Sequence, residues 1–543
     1  MKKPVQLILL LITCFRLTAQ MAVTMPGDFE KSGGLILNWN NQEEINLATV
    51  QIIASVQQQS LPIWILYQRD PVPMDTTEIS LFLISHGATM ENIHFLPAHY
   101  QGSWIRNFGP MMGYGVFEQD LERFIYDAGY AYNYPPEDDS IPAQLAHYWH
   151  WPLAEIPLEL DGGNLLNDGL KRGFSTKRVF EMNPLLSEND IKNVLREKYN
   201  MNDWVFLETL EHSGGGEGNR LDAFMLVLDF ETILISEYPD TLPDYEVIES
   251  NILTLQSLTN AFGRPYNIFR IPAPPMADGT FTTTQQGEMR TYTNALIINN
   301  QVVVPSNGLP WYDSVARTVF KEAMPGYQIS MVDASALTPQ HGGIRSLSEV
   351  IPQSHYLRIE HKKITGPQPY QPNVQVTCIS KAGELVEDMW LYYRVNSDTN
   401  YTKTPIYLVC PEHFGVIEGL AEDDTVHYYL EANSTSATTT YPLSAPDGNF
   451  TFWFDVVSKI ELTERFNTSF VFPNPGNGMI RFQLPDKINQ AEMRLYTLNG
   501  QLLFETSVNN NQSVYIKRFV SPGLYLVRLN TKDEEEVIKL IIH

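Results

Sequence analysis

Between about residues 33 and 360 the apolar positions switch repeatedly between a period of two and a period near 3.6. Residues 34–39 form a short apolar run that predicts a buried strand. Residues 43–59 place Ile45, Ala48, Ile52, Ile53 and Val56 on one face, which predicts a helix, and 63–67 is again strand-like. Further helices are predicted over 140–149, 187–198, 243–260 and 313–323. Ser187 with Asp190 three residues on has the pattern of a capping box, and Pro243 suits the first turn of a helix. Between the helices lie strand pairs, 222–230 with 232–237 and 292–298 with 302–305. The helix-plus-hairpin unit recurs roughly every fifty to seventy residues, a spacing open to two readings: a blade-like repeat or an open mixed α/β sheet.

Beyond residue 360 the helical period disappears. Short strands at 374–379, 390–395, 405–409 and 426–432 predict a β-sandwich of roughly one hundred residues. A second small β unit follows from about residue 466, in which Asn499-Gly500 between two apolar strands marks a hairpin. The expected organisation is a leader over 1–20, an α/β domain over 21–360, a β-sandwich over 361–460 and a terminal β domain over 461–543.

With 543 residues the chain is long enough for three or four domains, and 43% apolar with 18% charged residues is normal for a globular protein. The net charge of -26 argues against nucleic acid or an anionic membrane as a general partner. Met1-Lys2-Lys3, an apolar run over 5–15 and Leu17-Thr18-Ala19 have the form of a secretory signal, too short to span a bilayer, and no other stretch is long enough to do so. Cleavage near Ala19 leaves Cys378 and Cys410, which either pair or remain free thiols.

Four stretches carry the candidate chemistry. They are Trp104-Ile105-Arg106-Asn107-Phe108-Gly109-Pro110; Asp161-Gly162-Gly163-Asn164 with Asn167-Asp168-Gly169; Gly218-Asn219-Arg220-Leu221-Asp222; and Gly342-Gly343-Ile344-Arg345-Ser346-Leu347-Ser348. Together, in this order, they resemble the motifs of the agmatine deiminase and bacterial peptidylarginine deiminase family, with support from Met25-Pro26-Gly27-Asp28-Phe29 and Tyr292-Thr293-Asn294. The resemblance covers about residues 25–355. It implies a five-bladed α/β propeller with a central pocket, in which a thiolate attacks a guanidinium carbon, ammonia leaves and a ureido group remains. No metal or cofactor is implied. The 361–460 segment resembles the immunoglobulin-like domain of bacterial peptidylarginine deiminases. The last unit resembles the C-terminal sorting domain of type IX secretion in Bacteroidota, which implies export to the surface or medium by that machinery.

The reaction explains the family's residue types. A guanidinium stays charged and is held by carboxylates, the nucleophile must be a thiolate, and a histidine moves protons. Here the resemblance sets Asn107 at the first carboxylate, Arg220 at the histidine, Ser346 at the cysteine and Arg345 at the residue before it, while Asp222 is retained. An amide carries no charge, and an arginine is no acid or base at ordinary pH. Trp104, Arg106, Asp161, Gly163, Asn164, Asp168 and Arg345 fall on substrate-contact motifs by the same resemblance, although tight turns also demand such glycines, Asn and Asp. The chain reads first as an inactive deiminase relative. A second reading keeps an altered hydrolase of guanidino compounds using His212 or His341 as base, and a third makes the sandwich a binding module. The resemblance places positions 220 and 222 on one strand, where they share a face, so Arg220 is expected to pair with Asp222 and fill the pocket; if instead it points to solvent, Arg220 and Arg345 would favour an anionic ligand or peptide.

Overall fold

The computed structural model describes residues 23–542 except 69–73, 118–119, 131–134, 213–218, 285–286, 410, 455–469, 473–477, 485–489, 498–500, 511, 522 and 531–534. The predicted leader therefore lies outside the described residues, as does the Asn499-Gly500 turn.

The recurring unit of the sequence becomes five separate small sheets rather than one open sheet. Each begins as an antiparallel pair and continues through a helical crossover to a parallel strand. Met111–Phe117 pairs with Asp120–Gly129, which runs parallel to Leu153–Glu159. The same order recurs in Leu166–Asn167, Arg172–Thr176 and Asp203–Leu207; in Met225–Asp229, Thr232–Glu237 and Asn267–Pro272; and in Leu296–Ile298, Gln301–Ser306 and Gln328–Asp333. In the remaining sheet the antiparallel partner of Ser32–Asn38 comes from far along the chain: Ser348–Pro352 pairs with it, Leu35 opposite Val350. Ile63–Gln68 and Ile93–Ala98 complete that sheet in parallel. Leu35, Ile36 and Leu37 are all buried, as a parallel strand covered on both faces requires.

Local chemistry sets the helix ends. Ser187 and Asp190 form the reciprocal capping box at the start of Glu188–Tyr199. Two predicted starts shift. The helix expected at 243 begins at Tyr245, because the buried Asp244 carboxylate accepts from the Glu211 and His212 backbone amides and anchors the preceding loop. The helix expected at 313 begins with Pro310 in its first turn, and Asp313 instead accepts from Tyr292, Ser306 and the Asn307 amide. The helix Thr76–Ser85 was not predicted; Asp75 caps it at 2.8 Å.

Residues 357–454 form two β-sheets, one of four strands and one of six. The strand predicted over 405–409 is two: Thr402–Pro405 belongs to one sheet and Tyr407–Val409 to the other, and buried Ile406 lies at the change. Their interior, with Val376, Leu391 and Tyr428, is continuous with the α/β core at Phe230 and Leu234, and the described residues up to 454 form one compact unit. Cys378 is a buried free thiol, raised to about 12 by burial; Cys410 lies outside the described residues.

Residues 456–543 form the second unit. Its four-stranded sheet pairs Gln490–Thr497 with Leu502–Asn509 and with Gly523–Asn530, which pairs in turn with Glu535–Ile542. Ile480, Met493, Leu495 and Val527 are among its core residues. Among the described residues no helix is long and apolar enough to cross a membrane.

Candidate functional site

The four motifs fold as tight turns packed on one another. Ile105–Phe108 is a single buried helical turn, and the Arg106 backbone N–H donates to the Ser346 carbonyl at 3.2 Å, joining the first motif to the last. The 3-10 turn Gly162–Asn164 lies so close that a Cβ on Gly162 would sit 2.0 Å from the Arg106 carbonyl oxygen. A Cβ on Gly163 would sit 3.0 Å from each of Asn107 Oδ1, Arg220 Nε and Asp222 Oδ2. Three of the predicted residues thus meet over a glycine that close approach requires. Asn164 locks the arrangement from behind: its Oδ1 accepts from the Leu221 N–H at 3.0 Å and the Thr176 hydroxyl at 2.9 Å. Asp161 accepts from the Gly163 N–H at 2.9 Å and faces Arg178 at 3.5 Å.

Arg220 and Asp222 are not on a strand. Leu221–Ala223 is a 3-10 turn with Arg220 as its N-cap residue, and the strand begins only at Met225. The turn, not strand alternation, brings the two side chains together, with Arg220 Nε 3.4 Å from Asp222 Oδ1 and both fully buried. Arg220 Nη2 also donates to the His341 carbonyl at 3.3 Å. The second oxygen of Asp222 is engaged more closely, accepting from Arg345 Nη1 at 3.0 Å.

Arg345 and Arg106 extend this pair into a buried network. Arg345 Nε donates to Asp28 Oδ2 at 2.8 Å, and Arg106 Nη1 lies 3.0 Å from Glu349 and 3.8 Å from Asp28. Three guanidinium groups face three carboxylates, so the cluster is formally neutral. Its members differ in protonation preference. Burial raises the Asp28 carboxyl, but Arg345 and Arg106 together hold it below its ordinary value. At Glu349 burial outweighs Arg106 and pushes the carboxyl up to about 7. Arg345 is raised, because Asp28 and Asp222 overcome its desolvation. The cavity bordered by Asp28, Arg106, Gly162, Leu165, Arg345 and Glu349 is about 40 Å³, far below the roughly 300 Å³ at which small-molecule pockets begin.

The remaining predicted residues lie around the cluster or apart from it. Ser346 is buried, and its amide group and hydroxyl bond Asn294 at 3.1 and 3.2 Å; among the described residues no histidine or carboxylate bonds its Oγ. Trp104 packs its ring where a Cβ on Gly342 would fall, 2.3 Å away. Asp168 stands outside the cluster: it accepts three loop amides, from Leu170, Lys171 and Arg172, and the Tyr266 hydroxyl at 2.8 Å. His212 is exposed. Sequence reasoning missed three participants. Asp28 and Asn294 lay in motif stretches that carried no assigned role; Glu349 gave no signal beyond its position four residues after Arg345. Among the described residues no group of three or more His, Cys, Asp or Glu is placed to hold a metal ion.

Residues 24–352 match the Porphyromonas-type peptidyl-arginine deiminase family, and the chain belongs to that family. Residues 470–543 match the secretion system C-terminal sorting domain, which marks an exported protein, secreted or held at the cell surface, of the type IX kind found in Bacteroidota. Among curated relatives, a protein assigned as an agmatine deiminase in Legionella pneumophila is 26% identical over 227 residues, 40% of this chain and 63% of the relative. One from Pectobacterium atrosepticum is 24% identical over 286 residues, 48% of this chain and 77% of the relative. The alignments to the first relatives span about three-fifths of their length. Among solved structures, the agmatine deiminase of Enterococcus faecalis superposes with a TM-score of 0.52 at 18% identity, covering 61% of this chain and 96% of that one. A cysteine-to-serine variant of the agmatine deiminase of C. jejuni with substrate bound gives 0.51 at 16%, covering 61% and 97%. These likenesses establish a mixed α/β deiminase-type fold.

Proposed function

We propose that this protein is an exported deiminase-family member whose guanidinium site is filled by its own arginines and which performs no deimination. The carrying observation is Asp222, with one oxygen at Arg220 and the other at Arg345. In this reading the five sheets are the blades of a propeller around that site, and the two sheets of 357–454 form an immunoglobulin-like sandwich. The shared reaction needs two carboxylates free to hold a substrate guanidinium, a nucleophilic thiolate and a proton carrier. Asn107, Ser346 and Arg220 supply none of the three. A hydroxyl bonded to an amide, as Ser346 is to Asn294, has no base to activate it. The retained scaffold then serves binding at the cell surface, delivered by the sorting domain's recognition by the type IX machinery.

The test incubates the purified mature chain with peptidyl-arginine and with agmatine and measures ureido product and ammonia. No product above a heat-killed control is expected. Product formation that Ser346→Ala abolishes would overturn the reading. Restoring Asn107→Asp, Arg220→His and Ser346→Cys together is expected to recover some turnover, since such residues act as a unit. A second reading, an altered hydrolase, draws on His341: its carbonyl touches Arg220, and its ring Nδ1 is buried with no hydrogen-bond partner among the described residues. Product that disappears in His341→Ala would favour it.

A further inference from the structure

A second cavity, of about 850 Å³, opens between the α/β part and the two-sheet part of the first unit and shares only Met25 with the lining of the cavity at the arginine cluster. Lys171, Lys362 and Lys381 line it from three separate segments. All three are exposed and make no ion pair among the described residues. Other lysines of the unit, such as Lys198 and Lys321, also make no ion pair among the described residues; what sets these three apart is that separate segments bring them to one cavity.

Two further observations bear on the charge. Lys381 sits directly across the strand pair from Arg358, and like charges directly opposite destabilise a sheet. Of the acids at the cavity, Glu360 is engaged by Arg358, which leaves Glu412 as the carboxylate facing it without an ion pair among the described residues. Met25, Met201 and Phe262 supply apolar lining beside the lysines. The volume lies within the roughly 300–1,000 Å³ of small-molecule sites.

We infer that this cavity binds an organic polyanion carrying two or more phosphate or sulfate groups, with the anionic end across the three lysines and the organic body on the apolar lining. Lysine ammonium groups are rotatable point charges without the planar fork that matches a carboxylate, and they suit tetrahedral oxyanions. Against the single carboxylate of Glu412, three lysines leave a surplus of two positive charges, which calls for more than one negative charge. The site stands apart from the arginine cluster and does not depend on how that cluster is read.

Calorimetric titration of the full mature chain at low salt tests this, with pyrophosphate in one arm and a doubly sulfated disaccharide in the other. Saturable binding in either arm is expected, and the stronger arm identifies the oxyanion. Each of Lys171→Gln, Lys362→Gln and Lys381→Gln should weaken it about three- to tenfold, and raising the salt should weaken it further. Lys321→Gln, on an exposed helix outside the cavity, should leave it unchanged. Binding in neither arm overturns the proposal. So does binding that all three cavity variants leave intact, or that Lys321→Gln weakens equally. Melting curves of the single variants, which alter exposed side chains, separate lost binding from lost fold.

Discussion

Arg345 holds the buried Asp222 and the partly buried Asp28, and Arg220 shares only Asp222, so the two arginines should differ in what their removal costs. Arg345→Ala leaves Asp28 with only the 3.8 Å contact to Arg106 and leaves Asp222 with only the 3.4 Å contact to Arg220. Removing one partner of a buried ion pair destabilises by about 3–5 kcal/mol. Arg220→Ala leaves Asp222 with its 3.0 Å bond to Arg345, and the loss should be about 1–3 kcal/mol, that of a buried polar group partly unsatisfied. All nine tryptophans lie at or before position 453, so tryptophan fluorescence during urea unfolding reports the first unit alone. The expected order of stability is wild type, then Arg220→Ala, then Arg345→Ala. Adding Asp222→Asn to Arg345→Ala should recover part of the loss, with a coupling of about 0.5–3 kcal/mol. Methylguanidinium should raise the midpoint of Arg345→Ala and not that of wild type, since the vacated space then faces two carboxylates. An Arg345→Ala variant within about 0.5 kcal/mol of wild type, the range of ordinary surface changes, would refute the reasoning, and so would a larger loss from Arg220→Ala.

Two titrations should appear with opposite signs. Glu349 is raised by burial from 4.5 to about 7, so the folded state binds the extra proton and its contribution to stability falls as pH rises across that window, by about 3 kcal/mol; the His361 window overlaps with the opposite sign, so Glu349→Gln should unmask a stability that rises from pH 4.5 to 7 in urea titrations. His361, buried between the Thr377 carbonyl and the Tyr428 hydroxyl, is lowered by burial from 6.5 to about 4. Its contribution is present above 6.5 and lost as pH falls toward 4, by about 3 kcal/mol, and His361→Gln should remove that acid-side loss. Deleting residues from 466 onward should hold the protein in the periplasm, as read by fractionation and surface proteolysis; unchanged surface exposure would count against the role of that unit.

The repeating units were legible because a buried parallel strand and an amphipathic helix leave distinct periods, as in Leu35–Leu37 and Ile45–Val56. Their separation into five sheets followed from the family resemblance and not from the period, which carries no information on which strands pair at a distance. At the site, motif order pointed to Asn107, Arg220 and Asp222, which meet over Gly163, and to Ser346, which lies beside them against Asn294. It gave Arg220 the leading role at Asp222, whereas Arg345 binds more closely, because reach depends on turn geometry that spacing does not encode. Asp168 shows the converse: a motif position whose side chain is consumed by its own loop amides and Tyr266. The Tyr407–Val409 strand was misread because an apolar run does not record a change of sheet.

The pairing of Ser32–Asn38 with Ser348–Pro352 joins segments roughly three hundred residues apart, and this orders assembly of the fold. A chain made from its N-terminus presents its first strand long before its antiparallel partner emerges. The edge of that sheet stays open until residue 352 has emerged, and loop closure over so long a span is slow. The cluster waits on the same event, because Arg345, Ser346 and Glu349 arrive with the closing segment. Until then Asp28 and Asp222 remain without Arg345, their closest ionic partner, so the intermediate lacks the network that stabilises the finished unit. The last segment to arrive therefore both seals the sheet and completes the ion-pair network.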